Sequence, residues 1–185
     1  MDAIPKDTRY TYADYLTWND EVRYELIDGV PHMMSPAPAW EHQSISVELC
    51  GQLRDFLKGK PCKVFAAPFD VRLSAREGDD TVVQPDLLVI CDLSKLSGTG
   101  CVGAPDMVIE ILSPSTAGRD CIIKYQAYLN AEVREYWVVD PETKTVLTHM
   151  YHEGEYKTHG YAEADTVPVH VLDGCTIRLA DVFAV

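Results

Sequence analysis

Two stretches of this chain, Val82 to Ile90 and Asp106 to Leu112, are almost continuously apolar, and each carries an acid inside it. Runs of this kind fit strands covered on both faces, because a half-exposed strand alternates apolar with polar residues. They call for an α/β fold in which a central sheet is flanked by helices. Asp86 lies in VVQPDLLVI and Glu110 in DMVIEILS, and an ionised carboxylate in such surroundings is costly unless something pairs with it. Pro85 allows a plain reading of Asp86 as a strand-start acid capped by local backbone donors. Glu110, at the middle of its run, is in a position glutamate rarely occupies without a partner. On adjacent strands the two carboxylates would repel each other unless a cation lay between them. Two carboxylates with carbonyl and water oxygens suit hard Mg²⁺ or Mn²⁺. The competing reading is a structural pair between Glu110 and a Lys or Arg, since buried ion networks imitate active sites.

The flanking sequence supplies the rest of the α/β pattern. Thr11 with Asp14 fits a capping box ahead of a short N-terminal helix. Asp28-Gly29, between Tyr24 to Ile27 and Val30 to Met34, predicts a tight hairpin. Ile45, Leu49, Leu53 and Phe56 recur at helical spacing in a long amphipathic helix from Trp40 to Leu57, closed by Gly59 and Pro61. Lys63 to Ala67 and Phe69 to Leu73 read as short strands, and the polar loop Ser74 to Asp80 precedes Val82 to Ile90 as one further strand. After Asp106 to Leu112, Pro114 blocks the sheet, and Ser115 or Thr116 helps open a helix through about Asn130. Ser113 and Ser115 in LSPST resemble a nucleophile or phosphate motif, but turning the chain from strand to helix is the simpler job. Arg134 to Val139 is a strand, Val146 to Tyr151 and Tyr156 to Tyr161 form a hairpin around Glu153-Gly154, and Val169 to Val171, Thr176 to Arg178 and a turn at Leu179 to Phe183 close the chain. The expected architecture is a mixed central sheet flanked by helices, with a peripheral β-hairpin at each end.

Lys124 is the natural base for either reading of the acids. Asp120, Lys124 and Tyr128 share one face of the helix in RDCIIKYQAYL. If that face overlies the strand ends, Lys124 can position an attacking water or stabilise a phosphate's growing charge. Otherwise it forms an exposed ion pair with Asp120 worth a few tenths of a kcal/mol at roughly this spacing. Glu25, before the hairpin turn, and His42, at the start of the long helix, are polar groups in apolar settings able to complete a metal shell, although a lone acid or histidine at an element edge is more often an ordinary surface or packing residue. His149, His152, His159 and His170 show no metal-ligand pattern.

Composition bounds the function. The 185 residues suit a single domain over 1–185, without linker, repeat or low-complexity segment. Nothing reads as a secretory signal or membrane span, so the cytoplasm is the expected location. Cys50, Cys62, Cys91, Cys101, Cys121 and Cys175 lack paired C-x-x-C spacing and read as buried thiols rather than zinc ligands or a disulfide framework. The net charge of −13 opposes binding to phosphate backbones, an opposition that a metal ion and a few cleft bases can offset. Nucleotide-binding glycine loops and the G-x-S-x-G elbow are absent.

In order along the chain, ELIDG, MSPAP with His42, QPDLLVI, GAPDMVIEILSPST, Asp120 with Lys124, EYWVVDP and LADVF resemble the domain of unknown function 820 family of endonucleases, from about Tyr10 to Val185. The resemblance implies a PD-(D/E)xK nuclease fold, with Asp86 as the metal-binding aspartate and Glu110 as the second acid. Leu112 stands where the superfamily lysine is usual, and the resemblance suggests Lys124 as a migrated substitute, with Glu25 and His42 lining the same cleft. It also implies a homodimer and Mg²⁺- or Mn²⁺-dependent hydrolysis of nucleic acid, DNA in particular. A non-catalytic interaction protein with a nuclease fold and a hydrolase of small phosphoesters are the alternatives.

Overall fold

Thr11 opens the first helix of the computed structural model, which describes residues 8–18, 22–34, 37–74, 78–113 and 119–184. Its hydroxyl accepts the Asp14 N–H while the Asp14 carboxylate accepts the Thr11 N–H, and this reciprocal cap holds the single turn α1 (Tyr12–Tyr15). β1 (Tyr24–Ile27) and β2 (Val30–Met33) pair across Asp28-Gly29, whose φ angles of 50° and 74° belong to the mirror-image turn that suits strand twist. α2 (Trp40–Leu57) buries His42, Ile45, Leu49, Leu53 and Leu57 on one face. Then come β3 (Lys63–Ala66), β4 (Asp70–Arg72), β5 (Val82–Val83), β6 (Leu87–Ile90), β7 (Leu96–Ser97), β8 (Gly100–Val102) and β9 (Met107–Ile111). α3 (Arg119–Asn130) crosses to β10 (Glu135–Asp140), which runs parallel to β9. The hairpin β11 (Thr145–His152) and β12 (Glu155–Ala162) leads to β13 (Thr166–Pro168), β14 (Thr176–Arg178) and α4 (Leu179–Val182).

The strands divide into two six-stranded sheets and a small pair. The central sheet has the order β12-β11-β10-β9-β6-β3 and is mixed, because β9 and β10 are parallel while the other neighbours are antiparallel. Leu87, Val89, Met107, Ile109 and Trp137 pack from one face against α2, α4 and the β13–β14 pair. Leu88, Ile90, Val108 and Tyr136 pack from the other face against α3 and the second sheet, β2-β1-β5-β4-β8-β7. The molecule is thus a mixed α/β fold with helices on a mixed sheet, as the apolar runs require.

Several expectations need correction. Val82 to Ile90 is not one strand: β5 joins β1 and β4 in the second sheet, whereas β6 joins β3 and β9 in the central one. Pro85 has no N–H to continue a ladder, and the Gln84 N–H is spent on the Glu25 carboxylate. The N-terminal hairpin forms the edge of the second sheet, joined to it where Leu26 pairs with Val82. The strand expected at Val169 to Val171 lies instead at β13, where Val167 pairs with Ile177. Cys62 and Cys91 are not buried thiols but a disulfide, brought opposite each other one step beyond the Lys63–Ile90 pair of β3 and β6. Cys50, Cys101 and Cys175 are thiols, and the Cys121 side chain lies outside the described residues. The helix opening expected at Ser115 or Thr116, after Pro114, also lies outside them.

The central sheet is held to α2 by side chains with no access to solvent, Leu49 among them. Leu49→Ala is expected to lower stability by about 2–5 kcal/mol, because the closely packed face cannot collapse fully around the lost methyl groups. Urea unfolding with an unchanged m-value checks this.

Candidate active site

The register of two antiparallel strands brings the acids together. Leu87 on β6 lies opposite Ile109 on β9, so the next pair outward sets Asp86 beside Glu110. Alternation along β9 puts Glu110 on the same face as Val108, the face covered by α3. There α3 presents Lys124 and Tyr128, one turn apart, to a single carboxylate oxygen. The Lys124 Nζ donates to Glu110 Oε1 at 3.0 Å and the Tyr128 hydroxyl donates to the same atom at 2.6 Å.

The second sheet closes this cluster. Glu25 on β1 accepts from Lys124 Nζ at 2.9 Å and from the Gln84 N–H at 2.8 Å through the same oxygen. Lys124 therefore bridges Glu25 and Glu110 and keeps only 14% of its side chain exposed, which rules out the exposed helix-surface pair. Asp86 stands at the mouth with 23% of its side chain exposed. Its Oδ2 accepts the Ile111 N–H at 2.8 Å and lies 3.3 Å from His42 Nε2, which α2 brings in from the opposite face of the sheet. His42 also hydrogen-bonds the Ile111 backbone. Beyond Asp86 opens a cleft of about 630 Å³, bordered by Ala66 and Ala67 and running along α2 to Arg54 and Arg178.

Acidic groups outnumber basic ones in this cluster. Glu25, Asp86 and Glu110 face one ammonium, with the His42 ring as the other group able to carry positive charge. Burial pushes the Glu110 carboxyl up to about 7, and the Asp86 and Glu25 charges add to the push against the pull of Lys124 and Tyr128. Burial draws Lys124 downward, but the Glu110 and Glu25 charges outweigh it and hold the ammonium above its ordinary range. Burial opposes protonation of His42 as well, yet its hydrogen bond to Asp86 and the charge of Asp86 leave it raised. The Tyr128 phenol is driven well up by burial and by Glu110, so it remains a donor.

Glu25 and His42, for which the edge of an element allowed a packing role, are both buried in this cluster. Asp120 falls on the backbone of α3, but its side chain lies outside the described residues, as does its expected ladder to Lys124. The hydrogen bond of Tyr128 to Glu110 was signalled only by the helix spacing that Tyr128 shares with Lys124, and the Gln84 backbone contact had no sequence signal. His149 is buried on Tyr136 and bonded to Thr158. Among the described residues, no three His, Cys, Asp or Glu side chains converge on a point able to hold a metal, because Glu25 and Glu110 are turned to Lys124. The Asp86 and Glu110 carboxylates are nevertheless of the donor type a hard cation takes.

Known proteins share the sequence and the fold. A family model named Uma2 and described as "Putative restriction endonuclease" matches residues 12–180. "Uncharacterized protein slr1290" of Synechocystis sp. is 26% identical over 156 residues, covering 82% of this chain and 80% of its own. A crystal structure described as "a putative nuclease belonging to DUF820" from Anabaena variabilis matches with a TM-score of 0.76 at 21% identity, over 94% of this chain and 97% of that one. At that identity the likeness is one of fold. Among the described residues, no helix is long and apolar enough to cross a membrane.

The pKa directions fix the sign of a pH effect. Glu110 and His42 both bind protons more tightly in the folded chain than their ordinary values allow. Their contribution to stability is full at low pH and is lost as pH rises through their folded values, for Glu110 from its ordinary 4.5 through about 7. In the presence of a chelator, the melting temperature is expected to fall across this window, and Glu110→Gln is expected to flatten the fall. Thermal melts at stepped pH check both outcomes.

Proposed function

The chain belongs to the Uma2 family, and we propose that it is a metal-dependent endonuclease that hydrolyses phosphodiester bonds in DNA with Mg²⁺ or Mn²⁺. The observation that carries this reading is the buried Glu25–Lys124–Glu110 cluster with half-buried Asp86 beside it, three carboxyl groups to one ammonium, opening through Asp86 into a cleft. Structural ion pairs are ordinarily balanced, because each uncompensated buried charge is costly. Surplus negative charge at a cleft mouth is what a divalent cation relieves.

Asp86 and Glu110 would hold the ion, with the Ile111 carbonyl beside them. When bound, the ion supplies Lewis acidity toward a phosphoryl oxygen and a more acidic water. Lys124 serves as the fixed positive charge facing the oxygens on which charge grows in the transition state. It takes the part of the in-strand lysine, whose position Leu112 occupies. Glu25 and Tyr128 act as positioning residues, since Glu25 keeps the ammonium protonated and in place and Tyr128 fixes the Glu110 oxygen. His42 lines the cleft beside Asp86, and Asp120 lies on the same helix as Lys124. The cation would offset a net charge of −13 at the place where phosphate must approach, since the cleft arginines Arg54 and Arg178 are paired with Asp55 and Asp181. The same reading takes residues 1–185 as one domain, working as a homodimer in the cytoplasm.

Leu112 at the usual lysine position, together with the acidic balance, favours a second reading, a nuclease fold kept as a non-catalytic interaction module. Cleavage assays separate the two. The purified protein is expected to cut DNA with Mg²⁺ or Mn²⁺ and not with chelator, and Asp86→Asn and Lys124→Ala are each expected to lower the rate by about 100-fold or more while remaining folded by circular dichroism. Undiminished cleavage by both variants would sink the site. Failure of the native protein to cut single-stranded DNA, duplex DNA or RNA would support the interaction module, and turnover of a small phosphodiester alone would mark a small-phosphoester hydrolase.

A further inference from the structure

We infer that the Cys62–Cys91 disulfide is a reversible redox latch on the wall of the cleft. Oxidised, it clamps β3 to the central sheet; reduced by a small-molecule thiol, it lets that wall loosen. β3 is the edge strand of its sheet, and among the described residues β6 is its one strand neighbour. None of its four residues, Lys63 to Ala66, is buried. A short edge strand that buries so little is held mainly by its ladder, and it belongs to the parts of a fold that open first.

The two ends of that ladder do different things. At one end Cys62 is bonded to Cys91, one step beyond the Lys63–Ile90 pair. At the other, Ala66 and Ala67 border the cleft, and the Ala67 N–H donates to the Asp86 carbonyl at 3.0 Å. The covalent tie and the cleft acid thus stand at opposite ends of one pair of strands, so freedom gained at the tie is passed along β3 to the wall beside Asp86.

The surroundings of the bond suit exchange. Both cysteines are half-buried, so a thiolate from solution can reach a sulfur. Burial pushes the Cys101 and Cys175 thiols up to about 11, so neither is a thiolate at neutral pH that would compete from within. A chain of 185 residues with two buried apolar clusters has core enough to fold without a staple. In exchange, a thiol RSH attacks one sulfur, the Cys62–Cys91 bond breaks, and the other cysteine leaves as a thiol, taking the proton. A second RSH then displaces the bound RS group as RSSR, so two RSH are oxidised as Cys62 and Cys91 are reduced.

Hydrogen exchange read by mass spectrometry on the full-length protein, in oxidised and then in reduced glutathione, tests this without metal or nucleic acid. Reduced glutathione is expected to add two alkylatable thiols, at Cys62 and Cys91, while the protein stays folded by circular dichroism. Amides of residues 63–67 are expected to exchange about tenfold faster or more, and those of β9 and β10 at an unchanged rate. The double variant Cys62→Ser, Cys91→Ser is expected to show the faster exchange in both buffers, and the glutathione comparison stands without it. Cysteines that stay free in oxidised glutathione, a bond that resists reduced glutathione, or reduction that leaves residues 63–67 unchanged would overturn the latch. Reduction that speeds exchange throughout the chain would make the bond a structural staple and overturn it as well. Each of these outcomes leaves the metal-dependent reading standing, and failure of the cleavage assays above leaves the latch standing.

Discussion

One buried ammonium ties this molecule together. Lys124 on α3 reaches Glu110 in the central sheet and Glu25 in the second sheet, so the helix and both sheets share a single electrostatic contact. Breaking such an arrangement from one side leaves an uncompensated charge away from water, which is far more damaging than never having had the pair. The neighbouring details serve it. Pro85 ends one strand and sends the chain into the other sheet, which frees the Gln84 N–H to hold Glu25 and places Asp86 at the entry to β6. The antiparallel register of β6 and β9 then sets Asp86 beside Glu110.

The other buried acids show what makes this cluster different. Glu135 is wholly buried, yet it accepts from the Trp137 indole at 2.8 Å and from the Val171 N–H at 2.9 Å, anchoring the C-terminal segment to the sheet. Asp79 pairs with Arg72, and Asp106 takes both the Cys91 N–H and Arg134. Each of these acids has donors of its own. Glu25 and Glu110 instead compete for one lysine, while Asp86 faces the cleft with a backbone N–H and a histidine. The shared ammonium is therefore a local feature, and of the acids around it Asp86 lies at the cleft, open to solvent.

Much of this was legible in the chain. The acids inside apolar runs marked Asp86 and Glu110, helical spacing put Lys124 and Tyr128 on one face, and Asp-Gly and Glu-Gly announced the two hairpins. These are local properties: period, turn chemistry and the cost of a charge among hydrocarbon neighbours depend on residues close in sequence. They determined an α/β fold and marked the acids that needed partners. They did not distinguish Glu110 from Glu135, which is just as buried.

That distinction belongs to tertiary structure, because a carboxylate's fate is decided by the donors that meet it, and those come from distant segments. Glu25 and His42 are separated from Glu110 by most of the first half of the chain, and only strand order and the seating of α2 bring them to Asp86 and Lys124. The split of Val82 to Ile90 between two sheets and the pairing of Cys62 with Cys91 were decided in the same way. The sequence by itself determined that two strand carboxylates needed partners; the fold decided that Glu110 shares one ammonium with Glu25 while Asp86 meets a backbone N–H and His42 at the cleft.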